Sequence, residues 1–141
     1  MTLRMIDAIC PTEIQHGCFP PDVEFVISAL EAGPRPPFER QRLPRARYRV
    51  QARLHLYSDP PGRPATLLYT RHVNRQAIGF LTDRPLPLGH GGIVRLPSPQ
   101  GRLVEIHCTV LRCREAAPGW YEGALVFNRE QPDFDASEVL H

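Results

Sequence analysis

Between residues 50 and 127 the chain alternates short apolar stretches with clusters of proline and glycine, and this pattern restricts the possible folds most. The first stretch places Val50, Ala52, Leu54 and Leu56 at every second position, with polar residues between them. A period of two is typical of a strand with one buried face. Further strands are predicted on the same grounds at 67–73, 77–81, 93–96, 103–113 and 120–127.

These six strands follow one another without an intervening helix. Because open strand edges pair with other chains, a meander of this size is expected to close on itself. The chain has 141 residues, of which 42% are hydrophobic, and this supplies one modest core. The sequence therefore predicts a small, closed or nearly closed antiparallel β-barrel.

A helix is predicted ahead of the barrel, over residues 21–32. Pro21 and Asp22 are typical first residues of a helix, and Gly33 is a typical stop. The apolar stripe needs a partner, and the sequence leaves open whether this is the barrel or a second copy of the chain. The stripe consists of Val23, Val26, Ile27 and Leu30.

The predicted fold class is mainly β, a six-stranded antiparallel barrel with a short N-terminal helix. Three regions are expected: a helical extension with a proline-rich linker (1–38), the barrel (39–128) and an acidic tail (129–141). The tail is either a frayed helix or a loose segment, with Phe134, Val139 and Leu140 as its apolar anchors.

Several function classes are disfavoured by what the sequence lacks. No nucleophile elbow, P-loop or zinc-protease motif is present, so we expect no enzyme. In a strand His107 and Cys108 point to opposite faces, and Cys113 has no second pair nearby, so no metal site is predicted. No secretory signal or membrane-length apolar run occurs, and we expect a cytoplasmic protein with reduced cysteines and no membrane partner.

The basic residues are distributed unevenly. All 17 are arginine, and seven of them lie between positions 35 and 53, where Glu39 is the only acid. Crowded guanidinium groups repel one another, and a bound multivalent anion relieves that repulsion. Guanidinium forks bind phosphate bidentately and stack on flat bases, so a nucleotide with two phosphates and two purines suits them. Alternatively, these arginines are simply solvated.

From about Arg40 to Phe127 the segments resemble, in order, a PilZ domain, the bacterial β-barrel module that receives cyclic di-GMP. The likeness begins with Arg45-Ala-Arg-Tyr-Arg49 before the first strand, which is similar to the family's RxxxR segment. It continues with Arg71-His-Val-Asn-Arg-Gln-Ala-Ile-Gly-Phe-Leu81, which is similar to the (D/N)xSxxG motif and the strand after it.

The second motif allows two registers. Alignment on residues 78–80 places His72, Asn74 and Ala77 on the three motif positions, and a shift of two residues places Asn74, Gln76 and Gly79 there. The first register keeps the following strand in place and is preferred. In a purely structural alternative, His72 and Asn74 only join a strand to a turn.

The resemblance implies a receptor without enzymatic activity or cofactor, in which the arginine segment folds over cyclic di-GMP and a protein effector or self-association relays the signal. A rival hypothesis keeps the barrel as an interaction or dimerisation module that binds no nucleotide. A nucleic-acid partner is not expected, since outward-facing aromatic residues are few. The predicted ligand-binding residues are Arg42, Arg45, Arg47, Arg49, His72, Asn74 and Ala77.

Overall fold

A computed structural model describes residues 19–32 and 44–139. Arg42, the first two cysteines and the predicted proline-rich linker lie outside these residues. The described elements are helix α1 (Pro21–Ala32), strands β1 (Ala46–Arg47), β2 (Gln51–Leu56), β3 (Thr66–Val73), β4 (Ala77–Thr82), β5 (Gly91–Pro97), β6 (Leu103–Ala117) and β7 (Trp120–Phe127), a 3₁₀ turn (Pro132–Phe134) and helix α2 (Ala136–Val139).

Strands β2 to β7 form a closed antiparallel barrel. They follow the order β3-β2-β5-β6-β7-β4, and pairing between β3 and β4 closes the ring. The short strand β1 pairs with the C-terminal end of β3, beyond the residues that pair with β2, and places Ala46 opposite Val73. The predicted six-stranded antiparallel barrel is thus confirmed, although β6 extends to Ala117 rather than ending at Cys113.

The core fills the barrel because apolar residues point inward at every second position. Leu54, Phe80 and Leu125 are fully buried there. The chain after β7 completes this core: the Phe134 ring packs edge-on against Tyr48 with centroids 5.8 Å apart. The predicted anchor in the tail is therefore part of the main core, and the residues around it form the 3₁₀ turn and α2.

Helix α1 spans the predicted residues and packs on the outside of the barrel. Val23, Val26 and Ile27 are buried there together with Leu81 of β4. Phe19, just before the helix, contacts Tyr69 of β3 at a centroid distance of 5.1 Å. The barrel, rather than a second copy of the chain, covers the apolar stripe. Within the described residues no helix is long and apolar enough to span a membrane.

Candidate ligand-binding site

A shallow recess lies on the outer wall of the barrel, where β4 and β7 pair. Its floor consists of Gly79 and Ala124, which lie opposite each other in the strand register. Glycine has no side chain and alanine only a methyl group, so the wall is thin at this point. The recess measures about 310 Å³, including the part that opens to solvent. It is lined by Arg45, His72, Asn74, Ala77, Ile78, Gly79, Arg112 and Ala124.

Two irregularities in strand pairing direct side chains toward this recess. In β3 the register with β4 shifts between Thr70 and His72, and Arg71 and His72 both stay off the core. In β6 the register with β7 shifts between Val110 and Arg112. Bulges of this kind turn side chains out of strict alternation and are frequent beside functional sites.

The imidazole of His72 occupies the space above Gly79. A Cβ atom on Gly79 would come within 2.4 Å of His72 Cε1, so only glycine leaves room for the ring in this position. In the preferred motif register the family's glycine position falls on Ala77, whereas the clearance in this chain comes from Gly79. Both residues line the same recess.

His72 is uncharged and binds a guanidinium. Burial, with a further contribution from Arg45, Arg71 and Arg112, lowers the pKa of His72 to about 3. Its Nε2 lies 3.1 Å from Nη1 of Arg45. Because a guanidinium can only donate hydrogen bonds, Nε2 acts as the acceptor. The recess therefore carries an acceptor nitrogen next to a permanent cation.

Asn74 shapes the turn from β3 to β4. Its Oδ1 accepts hydrogen bonds from the backbone N–H groups of Gln76 at 2.8 Å and Ala77 at 2.9 Å. The side chain thus forms an Asx turn, as the structural alternative for this residue anticipated. Gln76, a motif residue of the shifted register, bonds Glu130 instead and does not line the recess.

The predicted arginines separate into different surroundings. Arg45 lines the recess, and Arg47 is exposed on β1 opposite His72 in the strand register. Arg49 is only 6% exposed: it forms an ion pair with Glu24 of α1, and its guanidinium lies 4.6 Å from the centroid of the Phe19 ring. The structure thus brings Arg45, His72, Asn74 and Ala77 together and places Arg49 under α1.

Sequence reasoning missed the cluster beside the recess. Glu122 of β7 is 1% exposed and contacts three arginines: Nη2 of Arg112 at 3.0 Å, Nε of Arg114 at 2.5 Å and Nη1 of Arg71 at 3.6 Å. Burial would raise the pKa of Glu122, but Arg112 and Arg114 outweigh it and lower the pKa below its usual value. The spacing of Arg112 and Arg114, two residues apart on one strand, was the available signal in the sequence. Their contacts with Glu122 depend on the bulge in β6 and could not be predicted from that spacing.

The electrostatics of the recess favour an anion. Arg45 and Arg112 are among its lining residues, and no carboxylate within the described chain lines it.

Among residues 19–32 and 44–139, no three His, Cys, Asp or Glu side chains are grouped to hold a metal ion. Among the aromatic side chains on which a nucleic-acid base could stack, Phe80 is buried in the barrel and Tyr69 is partly covered by α1, whereas Tyr57 is exposed.

No protein-family model, curated protein or solved structure matches the chain. Membership of the PilZ family therefore stays a prediction that rests on the motifs.

Proposed function

We propose that this protein is a PilZ-like, cytoplasmic regulatory module that binds cyclic di-GMP at the recess and relays binding to a protein partner. One observation carries the proposal: the arginine-rich lead-in (residues 45–49) contacts the second motif (residues 72–77) at the recess, where Arg45 is hydrogen-bonded to His72. Two segments that the resemblance assigns to one ligand, 27 residues apart in sequence, thus line the same recess together with Asn74 and Ala77.

The residues match the chemistry of a guanine nucleotide. Arg45 and the exposed Arg47 supply planar forks for phosphate oxygens or for stacking on a base. Nε2 of His72, when Arg45 turns to a phosphate, becomes an acceptor for a guanine N–H group. The His72 imidazole lies over Gly79, and beside it the small side chain of Ala124 leaves room for a flat ring to lie close to the sheet.

Helix α1 is the element through which a partner would sense the ligand. Arg49, which pairs with Glu24 of α1, lies only two residues after Arg47 and four after Arg45. Rearrangement of the lead-in around a nucleotide would therefore act on the helix directly. On the outer side of α1, Phe25 is exposed and available for contact with another protein.

Calorimetric titration with cyclic di-GMP tests the proposal. We expect binding by the full chain and at least a tenfold loss in Arg45→Ala, since a charge-assisted hydrogen bond contributes about 1.5–3 kcal/mol. Arg102→Ala is the matched control, because this exposed arginine lies in the turn between β5 and β6. Absence of heat with tens of micromolar ligand, together with unchanged backbone amide spectra, would contradict the proposal.

A second candidate is an interaction module of the same fold that binds no nucleotide. It is favoured by two contacts already described: the His72 ring occupies the space above Gly79, and Arg49 is engaged by Glu24. Under this hypothesis the chain associates with itself or a partner equally well in wild type and Arg45→Ala. Sedimentation of both proteins, with and without cyclic di-GMP, distinguishes the two candidates.

A further inference from the structure

Arg112 belongs to the recess but not to either sequence motif. It lies in β6 directly after the bulged Leu111 and opposite Ala124, one of the two floor residues. Its Nη2 is bonded to the carboxylate of Glu122, yet the side chain also lines the recess. The guanidinium is thus anchored at one end and presented to the same space as Arg45.

The charge around Glu122 is unbalanced. A buried carboxylate requires a partner, and one well-placed arginine would satisfy most of that need. Glu122 instead faces Arg71, Arg112 and Arg114, and the only further carboxylate acting on Arg71 among the described residues is the exposed Glu31 of α1, so three positive charges face two negative ones. Arg114 is 65% exposed and its charge is screened by solvent, whereas Arg71 and Arg112 are only 11% and 26% exposed. Excess positive charge therefore remains at the edge of the recess.

We infer that Arg112 is a second phosphate-binding residue of the recess, which holds one phosphate group of the ligand together with Arg45. The geometry supports this assignment because the bulge at Leu111 turns Arg112 to the outer wall and Glu122 restrains its guanidinium there. Two arginine forks on opposite sides match the several acceptor oxygens of a phosphate group. The identity of the nucleotide rests on the proposed function, but the phosphate site does not.

The test uses the full chain and two probes, inorganic pyrophosphate and cyclic di-GMP, titrated separately by calorimetry. The amide resonances of Gly79 and Ala124 report binding at the recess floor. We expect Arg112→Ala to weaken the binding of both probes at least tenfold. Arg95→Ala should change affinity less than twofold, since Arg95 also pairs with a glutamate, Glu105, but does not line the recess.

Arg112→Lys is a second variant, used because Arg112→Ala removes a partner of the buried Glu122 and could impair folding. Lysine keeps a positive charge for Glu122 but lacks the planar fork, so we expect a threefold to tenfold loss of affinity with a thermal unfolding midpoint close to that of wild type. Wild-type affinity in this variant would overturn the inference.

The two probes separate the inference from the proposed function. Pyrophosphate binding that depends on Arg112, without any binding of cyclic di-GMP, would refute the proposed function and support the phosphate site. Cyclic di-GMP binding that Arg112→Ala and Arg95→Ala affect equally would support the proposed function and refute the inference. If neither probe binds, both are wrong.

Discussion

Gly79 of β4 and Gly123 of β7 occupy successive register positions of the paired strands, and an added Cβ atom would meet a different obstacle at each. On Gly79 the added atom would meet the movable imidazole of His72, but on Gly123 it would lie 2.1 Å from the carbonyl oxygen of Arg112. A side chain can turn away at moderate cost, whereas paired backbone cannot move without breaking the sheet. The shape of the recess therefore depends on the pair formed by Gly79 and His72.

We expect Gly79→Ala to lower the free energy of unfolding by about 1–3 kcal/mol, the usual cost of overpacking. The loss should be smaller in a His72→Ala background, because the ring that obstructs the new methyl group is gone. Gly123→Ala is the control, since its cost should be the same in both backgrounds. Urea denaturation of wild type, Gly79→Ala, His72→Ala and the double variant measures the interaction energy between the two positions. Strictly additive losses of stability would contradict the contact between His72 and Gly79.

The state of His72 predicts a dependence of stability on pH. Its pKa is about 3 in the folded protein and near 6.5 when the chain is unfolded. As the pH falls from about 6.5 toward 3, the unfolded chain binds a proton that the folded protein does not, and stability decreases by up to about 1.4 kcal/mol per pH unit. Above this window the residue makes no pH-dependent contribution.

His72→Gln removes this proton without adding a charge. We expect the stability difference between wild type and this variant to stay constant above pH 7 and to shift against wild type between pH 6 and pH 4. Other titrating groups cancel in the comparison. Urea unfolding at several pH values provides the measurement, and a difference that does not change with pH would show that His72 is accessible to protons in the folded state.

At the scale of elements, the alternation of apolar residues and the turn residues between the stretches were sufficient to predict the six barrel strands, but not the two-residue strand β1. Residues such as Val50 to Leu56 repeat with period two, and Pro or Gly clusters separate the stretches. The bulges at Arg71 and Leu111 were not predictable in this way, because a bulge is defined by pairing with another strand. The recess combines motif residues that the sequence indicated with Arg112 and Ala124, which become neighbours only through the β6–β7 register.

Helix α1 is held to the barrel by its apolar stripe and by a charged contact at Arg49. Glu24→Gln would leave the nearly buried guanidinium of Arg49 beside a neutral amide and the Phe19 ring. We expect a loss of about 1–3 kcal/mol in the free energy of unfolding, below the usual cost of breaking a fully buried pair because Glu24 is partly exposed. Glu31→Gln, at an exposed position of the same helix where the charge acts on Arg71 rather than on Arg49, should cost less than about 1 kcal/mol.

Circular dichroism during urea denaturation measures both helix variants. Equal stability of Glu24→Gln and Glu31→Gln would contradict the view that Arg49 fastens α1 to the barrel.

At the scale of the whole molecule, the candidate site exists only because the barrel closes. Arg45 precedes β1, His72 lies one residue before the end of β3, and Arg112 lies in β6. These segments meet where β4 fits between β3 and β7. Closure in turn needs a filled interior. Phe134, which follows the last barrel strand, contributes to that interior through contacts with Tyr48 and Phe127.

The tail is therefore expected to stabilise the barrel as a strand does. Phe134 is 1% exposed, and Phe134→Ala should lower the free energy of unfolding by about 3–5 kcal/mol, the range for a buried aromatic residue. Asp133→Ala, at the exposed neighbouring position, should change it by less than about 0.5 kcal/mol. Far-ultraviolet circular dichroism and the fluorescence of Trp120, the only tryptophan, should report one common transition in both variants. A loss below 1 kcal/mol in Phe134→Ala would mean that the tail detaches without cost to the barrel, and that the core is complete at the end of β7.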